Sequence, residues 1–205
     1  MNRDKYLTYN ELKDDYYACD EALETFARDL GRDGCLSLGQ SGLIGLLLHP
    51  KGRQHISWLL RNTPANWDFD MLDLSDTNLA RLCVAMQHVT ACKFVGAELY
   101  RAIFRNAYID DCNFSGANLY NGNFCASYIC DTSFASANLQ SAYFAEADLN
   151  CCHFYKADLR DANFRDTLFM GCFFGDAKLT GADFRKARGL GPDQKEYLAQ
   201  SGAIV

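Results

Sequence analysis

The chain has 205 residues, 49% of them hydrophobic and 22% charged, with a formal net charge of −6 at pH 7. That length suits one or two domains with ample core material, and the mild acidity argues against a general nucleic-acid binder. Ten cysteines could make a disulfide framework, but Met1-Asn2-Arg3-Asp4-Lys5 opens no apolar signal segment. A reducing cytoplasm is therefore expected.

Residues 1–66 read as a small helical domain. Thr8 and Glu11 have capping-box spacing. Leu12, Tyr16, Cys19, Leu23, Phe26 and Leu30 then recur at alternating four- and three-residue intervals up to Gly31, which predicts an amphipathic helix. Leu36 to Leu48 is apolar but interrupted by Gly39, Gly42 and Gly45. It is too short for a membrane span and reads as one or two short buried helices. Lys51 to Asn62 predicts another helix, stopped before Pro64. This domain is expected to cover the first edge of the segment that begins at Trp67.

From Trp67 to Ala187 the sequence repeats every five residues. Twenty-four large apolar residues, from Phe69, Leu74, Leu79 and Val84 through to Phe184, fall at that spacing with no slip. Two residues before each centre, from Cys92 onward, stands Ala, Cys, Gly, Ser or Thr. Neither a helix nor a flat strand has this period, so it reads as a repeat architecture. Every twentieth residue is also alike, as in Leu79, Leu99, Leu119, Leu139, Leu159 and Leu179. Four pentapeptides thus make one turn of a square coil whose large and small residues both point inward at close-packed density. Cys92, Cys112, Cys152 and Cys172 share one inward small column with Thr132. They read as core filling by small buried thiols, with no metal site expected.

The motifs Cys112-Asn113-Phe114-Ser115-Gly116, Ala117-Asn118-Leu119-Tyr120-Asn121 and Ala157-Asp158-Leu159-Arg160-Asp161 closely resemble the pentapeptide-repeat family. The resemblance covers residues 67–187 and implies a mainly β fold, a right-handed quadrilateral parallel β-helix. At the usual strand spacing of about 4.8 Å, about six coils make a rod about 29 Å long.

After Phe184 the repeat fails at Gly189. Gly191-Pro192 predicts a helix from Pro192 to about Gln200, with Gly202 as its stop, within a C-terminal segment 188–205. The ending resembles that of the quinolone-resistance pentapeptide proteins. That resemblance implies a homodimer joined end to end, here through Tyr197, Leu198, Ile204 and Val205. A tail folded back as a cap on its own rod is the equal alternative.

No catalytic constellation is found. Gly39-Gln40-Ser41-Gly42-Leu43 begins like a nucleophile elbow but ends in Leu, and Gly39, Gly42 and Gly45 do not match a phosphate loop. His49, His55, His88 and His153 are scattered. A non-enzyme with no cofactor is expected, which moves function to the outward faces. The side built on Phe69, Val89, Ile109, Ile129, Leu149 and Phe169 carries Asp68, Asp70, Asp110, Asp111, Asp131 and Asp148, and no Lys or Arg. Tyr108 and Tyr128 stack on the same side. Duplex DNA presents one charge per about 1.7 Å, so a rod of this length imitating both strands needs about 17 charges. Residues 67–187 contain 15 acidic and 10 basic residues, a net of −5. One face can imitate a single strand; the rod cannot imitate a duplex. Asp and Asn equally suit tight corners, which is the plainer explanation of that face.

The resemblance to the quinolone- and toxin-resistance group implies a protein that mimics DNA and binds DNA gyrase or topoisomerase IV, with no direct nucleic-acid or membrane contact. The chain departs from that group in its uninterrupted repeat and its helical N-terminal domain. The alternative is an interaction scaffold or adaptor that uses the N-terminal domain, with the tyrosine ladders as contact area.

Overall fold

The computed structural model describes Tyr6–Leu7, Leu36–Ser37 and residues 69–205. The helices expected between Leu12 and Leu30 and between Lys51 and Asn62 fall outside the described residues. So do Trp67 and Asp68. At the start of the stretch Leu36 to Leu48, read as one or two short buried helices, Leu36–Ser37 is a strand (β2) paired antiparallel with Tyr6–Leu7 (β1); the rest of that stretch lies outside the described residues. The partner of β2 lies about thirty residues away in sequence, and a local apolar pattern carries no information about so distant a pairing.

The rod itself obeys the five-residue period. Strands Phe69–Asp70 (β3), His88–Thr90 (β4), Tyr108–Asp110 (β5), Tyr128–Cys130 (β6), Asp148–Asn150 (β7) and Leu168–Met170 (β8) form one parallel sheet in chain order. Each is offset from the next by twenty residues, as in Val89 opposite Ile109 and Ile129 opposite Leu149. This is the first side of the coil. The second side (centred on Phe94, Phe114 and onward), the third (Leu99, Leu119) and the fourth (Phe104, Phe124) carry single parallel bridges in the same register, such as Lys93 to Asn113, Glu98 to Asn118 and Ile103 to Asn123. The fold is a mainly β, four-sided parallel solenoid.

Both inward positions are filled as the period requires. All centres from Phe69 to Phe184 are buried, and so are nearly all the small residues two places before them. The thiols of Cys92, Cys112, Cys152 and Cys172 point into the coil and reach the carbonyls of Phe69, Val89, Ile129 and Leu149 on the turn below. Thr132, in the same column, donates its hydroxyl to the Cys130 carbonyl.

The corners are made by one repeated device. Two residues after every centre the backbone turns through positive φ, in twenty non-glycine residues from Met71 to Lys186 and in Gly96, Gly116, Gly171 and Gly181. Asp and Asn are the L-residues that adopt this conformation most readily, which accounts for Asp76, Asn106, Asp111, Asn121, Asp131, Asp161, Asp166 and Asp176 at these places.

The C-terminal end closes on itself, side by side. Arg188 pairs with Leu168 and continues the first side. The helix Pro192–Gln200 (α1) lies over the second, where Gln194 donates to the Cys172 carbonyl at 3.1 Å and the Tyr197 hydroxyl to that of Phe174 at 3.1 Å. Leu198 is fully buried beneath it. The chain then turns at Gly202, and its last residues run along the third and fourth sides, with Gly181 donating to Gly202 and Phe184 to Ile204. The open edge of the final coil, a site of unwanted strand pairing if left bare, is thereby covered.

The exit from the rod depends on Gly189. Its φ is +81°, and an added Cβ would overlap the Phe169 carbonyl oxygen. Gly116 also has positive φ (+68°), but the nearest backbone atom to a Cβ there is 4.0 Å away. Gly116→Ala should therefore lose about 1 kcal/mol of stability, and Gly189→Ala at least about 2 kcal/mol more. Parallel urea melts monitored by circular dichroism compare the two.

Candidate protein-binding face

The first side presents three outward columns. Before the centres run His88, Tyr108, Tyr128, Asp148 and Leu168; after them run Asp70, Thr90, Asp110, Cys130, Asn150 and Met170; at the corners stand Met71, Ala91, Asp111, Asp131, Cys151 and Gly171. The rings of Tyr108 and Tyr128 stack with centroids 5.0 Å apart, and His88 extends the ladder to Tyr108 at 5.2 Å. Asp148 comes after Tyr128 in the same column.

The structure gathers only part of the expected acidic row. Asp110 and Asp131 meet Cys130 in one corner, where the ligand-type atoms of all three lie within 4.8 Å of one another. Asp111 stands at the corner one turn before Asp131. Asp70 is two coils from Asp110, and Asp68 lies outside the described residues. The row is thus a cluster at its centre with members spaced along the axis on either side.

Cys130 is not among the residues expected at this site, yet it is the centre of that cluster. Its thiol donates to the Asp131 carboxylate at 3.1 Å and accepts from the Asn150 amide at 3.6 Å. Desolvation, then the neighbouring Asp131, push the thiol up to about 11. It therefore keeps its proton at neutral pH, and the corner is a hydrogen-bonded arrangement of two carboxylates and a thiol. The Cys130 charge that would form at high pH also raises the Tyr128 phenol above its ordinary value. Reading the columns at twenty-residue spacing is enough to find His88 and Cys130, because each shares a column with a residue already singled out.

Positive charge is held elsewhere, apart from Arg188 at the C-terminal end of the first side. On the third side Arg160 makes a two-pronged pair with Asp158, at 2.8 and 2.7 Å. Arg185 does the same to Asp183 on the fourth, at 2.9 and 2.7 Å, with Arg165 3.8 Å from the same carboxylate. Of the four residues expected at a dimer contact, Leu198 is buried within its own chain and the Tyr197 hydroxyl is engaged with Phe174. Ile204 and Val205 are exposed.

With this geometry in hand, the repeats match the family model for pentapeptide repeats in eight copies, over residues 89–128, 131–166 and 157–188. The chain is a pentapeptide-repeat protein. Among solved structures it is similar to a trypsin-treated form of QnrB1, a plasmid-mediated fluoroquinolone resistance protein. The identity is 20% with a TM-score of 0.38, over 60% of this chain and 64% of that one. It is also similar to a pentapeptide repeat protein from the Arabidopsis thaliana thylakoid lumen, at 24% identity and TM-score 0.27 over 67% and 78%. A third is Rfr23 from the cyanobacterium Cyanothece 51142, at 18% and 0.25 over 55% and 84%. The match to QnrB1 spans under two thirds of that chain's length. No curated protein matches the sequence. These likenesses concern the coil and say nothing of a partner. Among the described residues no helix is long and apolar enough to cross a membrane.

The guanidinium of Arg160 holds the Asp158 carboxyl below its ordinary value, and Arg185 does the same to Asp183. Both pairs therefore stabilise the fold above the unfolded carboxylate value of about 4, and that contribution fades as pH falls through the lowered folded values. A carboxyl-carbon NMR titration should show both groups titrating low. In Arg185→Gln the Asp183 value should rise toward the ordinary one while Asp158 stays low.

Proposed function

We propose that this chain is a non-catalytic protein-binding rod whose first side imitates the acidic backbone of one DNA strand. Its partner is then a DNA-handling enzyme such as gyrase or topoisomerase IV. The observation that carries the reading is the segregation of charge. Asp70, Asp110, Asp111, Asp131 and Asp148 share a side on which β3 to β8 and their corners bear no Lys or Arg, whereas Arg160, Arg165 and Arg185 are paired on other sides. A cationic DNA-binding groove meets such a face favourably and is steered toward it. The stacked Tyr108 and Tyr128 beside the acidic corner supply the rigid aromatic area that protein interfaces favour. A reducing cytoplasm fits the inward thiols, which act as small core residues. The self-closed C-terminal end supports a single rod as the binding unit; Tyr197, Ile204 and Val205 are the exposed residues that an end-to-end contact would use.

A second reading has one specific observation behind it. Tyr100 and Tyr120 stack on the third side at 5.8 Å, a second aromatic strip away from the acidic face, as an adaptor with several binding surfaces would carry.

The test replaces Asp110, Asp111, Asp131 and Asp148 by Asn together. Asn tolerates the corner conformation at positions 111 and 131, so the fold should survive, and circular dichroism checks that it does. In a gyrase supercoiling assay, with and without a quinolone, the wild-type protein should inhibit or protect, and the quadruple variant should do neither. A folded wild-type protein without effect at micromolar concentration would remove gyrase as the partner and turn the search to the adaptor reading.

A further inference from the structure

A cleft lies between α1 and the second side of the last two coils. Its volume is about 580 Å³, within the range of sites that hold drug-sized molecules. One wall is a ladder of rings, His153 on Phe173 with centroids 5.3 Å apart and planes within 5°, together with Tyr155. The facing wall is Tyr197 of α1, and Asp193 from the first turn of that helix stands at the rim.

The repeat does not call for aromatic residues here. In the two preceding coils the same outward positions hold Asn113 and Ser133 in one column and Ser115 and Ala135 in the other. The change to rings occurs only where the coil faces α1. Phe173, Tyr155 and Tyr197 are 58%, 48% and 40% exposed, a cost in exposed apolar surface that the cap does not need, because Leu198 already anchors the helix. Gly175 comes after Tyr155 in its column and leaves the space above that ring open; a Cβ there would already sit 3.4 Å from the Tyr155 ring.

The walls are also fixed in advance. Gln194 holds the Cys172 carbonyl and accepts from the Gly191 amide, and the Tyr197 hydroxyl donates to Phe174. The polar ends of these side chains are thus turned to the backbone, and ring faces and edges are left toward the cleft. Two lining groups, the Asp193 carboxylate and the His153 imidazole, make no hydrogen bond or ion pair among the described residues. Among the described residues no Lys or Arg lines the cleft; Lys156 and Lys195 adjoin lining residues in sequence, and the Lys156 ammonium lies over the Tyr155 ring at 4.9 Å.

From this geometry we propose that the cleft binds a small, flat aromatic molecule carrying one positive charge. The rings stack against its plane, and its cationic end is set against Asp193 and the aromatic faces. The Asp193 carboxylate, with no Lys or Arg among the described lining residues to offset it, disfavours anions.

The probe is 9-aminoacridine, a flat fluorescent monocation, with the flat anion 1-anilinonaphthalene-8-sulfonate as comparison, both titrated into the full chain. Saturable one-to-one binding of the cation is expected, weakened roughly tenfold or more in Phe173→Ala and in Asp193→Asn, with the anion bound far more weakly. Circular dichroism keeps loss of fold separate from loss of binding, and Asp193→Asn preserves both shape and helix. Three results would overturn the proposal. The first is no saturable binding of the cation. The second is equal binding of the anion, or binding indifferent to both substitutions, either of which would mark a merely adhesive apolar surface. The third is a wild-type dimer that Phe173→Ala converts to monomer in sedimentation velocity, which would make the cleft an interface between copies.

Discussion

Everything in this molecule depends on how four walls share one narrow interior. On the second and fourth sides phenylalanines stack along the axis from turn to turn, Phe94 on Phe114 at 4.6 Å and Phe104 on Phe124 at 4.8 Å, each pair within 2° of parallel. Between those two sides they meet edge to face, as Phe104 and Phe114 do at 5.6 Å and 89°. Both are favoured ring geometries, and both need a twenty-residue register without slip. The small residue two places before each centre is a consequence of the same crowding. At Gly122 even a Cβ would approach the Leu119 carbonyl to 3.0 Å and the Phe124 ring to 3.3 Å. With the inward positions so constrained, the sequence is free to vary only outward, so the faces carry whatever is specific to this protein.

The repeating interior also explains which parts are legible in the sequence. The centres, the small columns, the parallel register and α1 are all readable, because each depends on a local period or on turn chemistry at Gly191-Pro192 and Gly202. What escapes depends on non-local encounters. The pairing of β1 with β2 joins segments with no shared pattern. A tail folded back on its own rod is one of the two endings the sequence allows, but its path from Gly202 to Val205 along the third and fourth sides is set by amides of the last coil, such as those of Gly181 and Phe184, which no residue type announces. The first side lacks basic residues from β3 to β8, as the columns predict, but Arg188 joins it at the end. It does so only because the backbone continues beyond the last apolar centre.

The acidic face is only partly legible for a related reason. An aspartate column can be read at twenty-residue spacing, but sequence alone does not separate an aspartate needed for surface charge from one that the backbone demands. The corner conformation makes that separation. Asp111 and Asp131 stand where φ is positive, alongside six other Asp and Asn corners on the other sides. Their presence is explained by the turn, whatever else they do.

Asp110 and Asp148 are different. They flank centres within strands β5 and β7, where the backbone is extended and asks for no particular residue. The neighbours in their columns vary: Asp70, Thr90, Cys130, Asn150 and Met170 in one, His88, Tyr108, Tyr128 and Leu168 in the other. Asp is moreover a poor strand former, so its use in a strand flank needs a reason other than local structure. Cys130 sharpens the point, since it lies between Asp110 and Asp131 and hydrogen-bonds the second. The neutral thiol holds one of the two carboxylates in place without adding charge. The charge pattern of this face therefore rests on its strand-flanking residues, with the corner aspartates enlarging a field that Asp110 and Asp148 define.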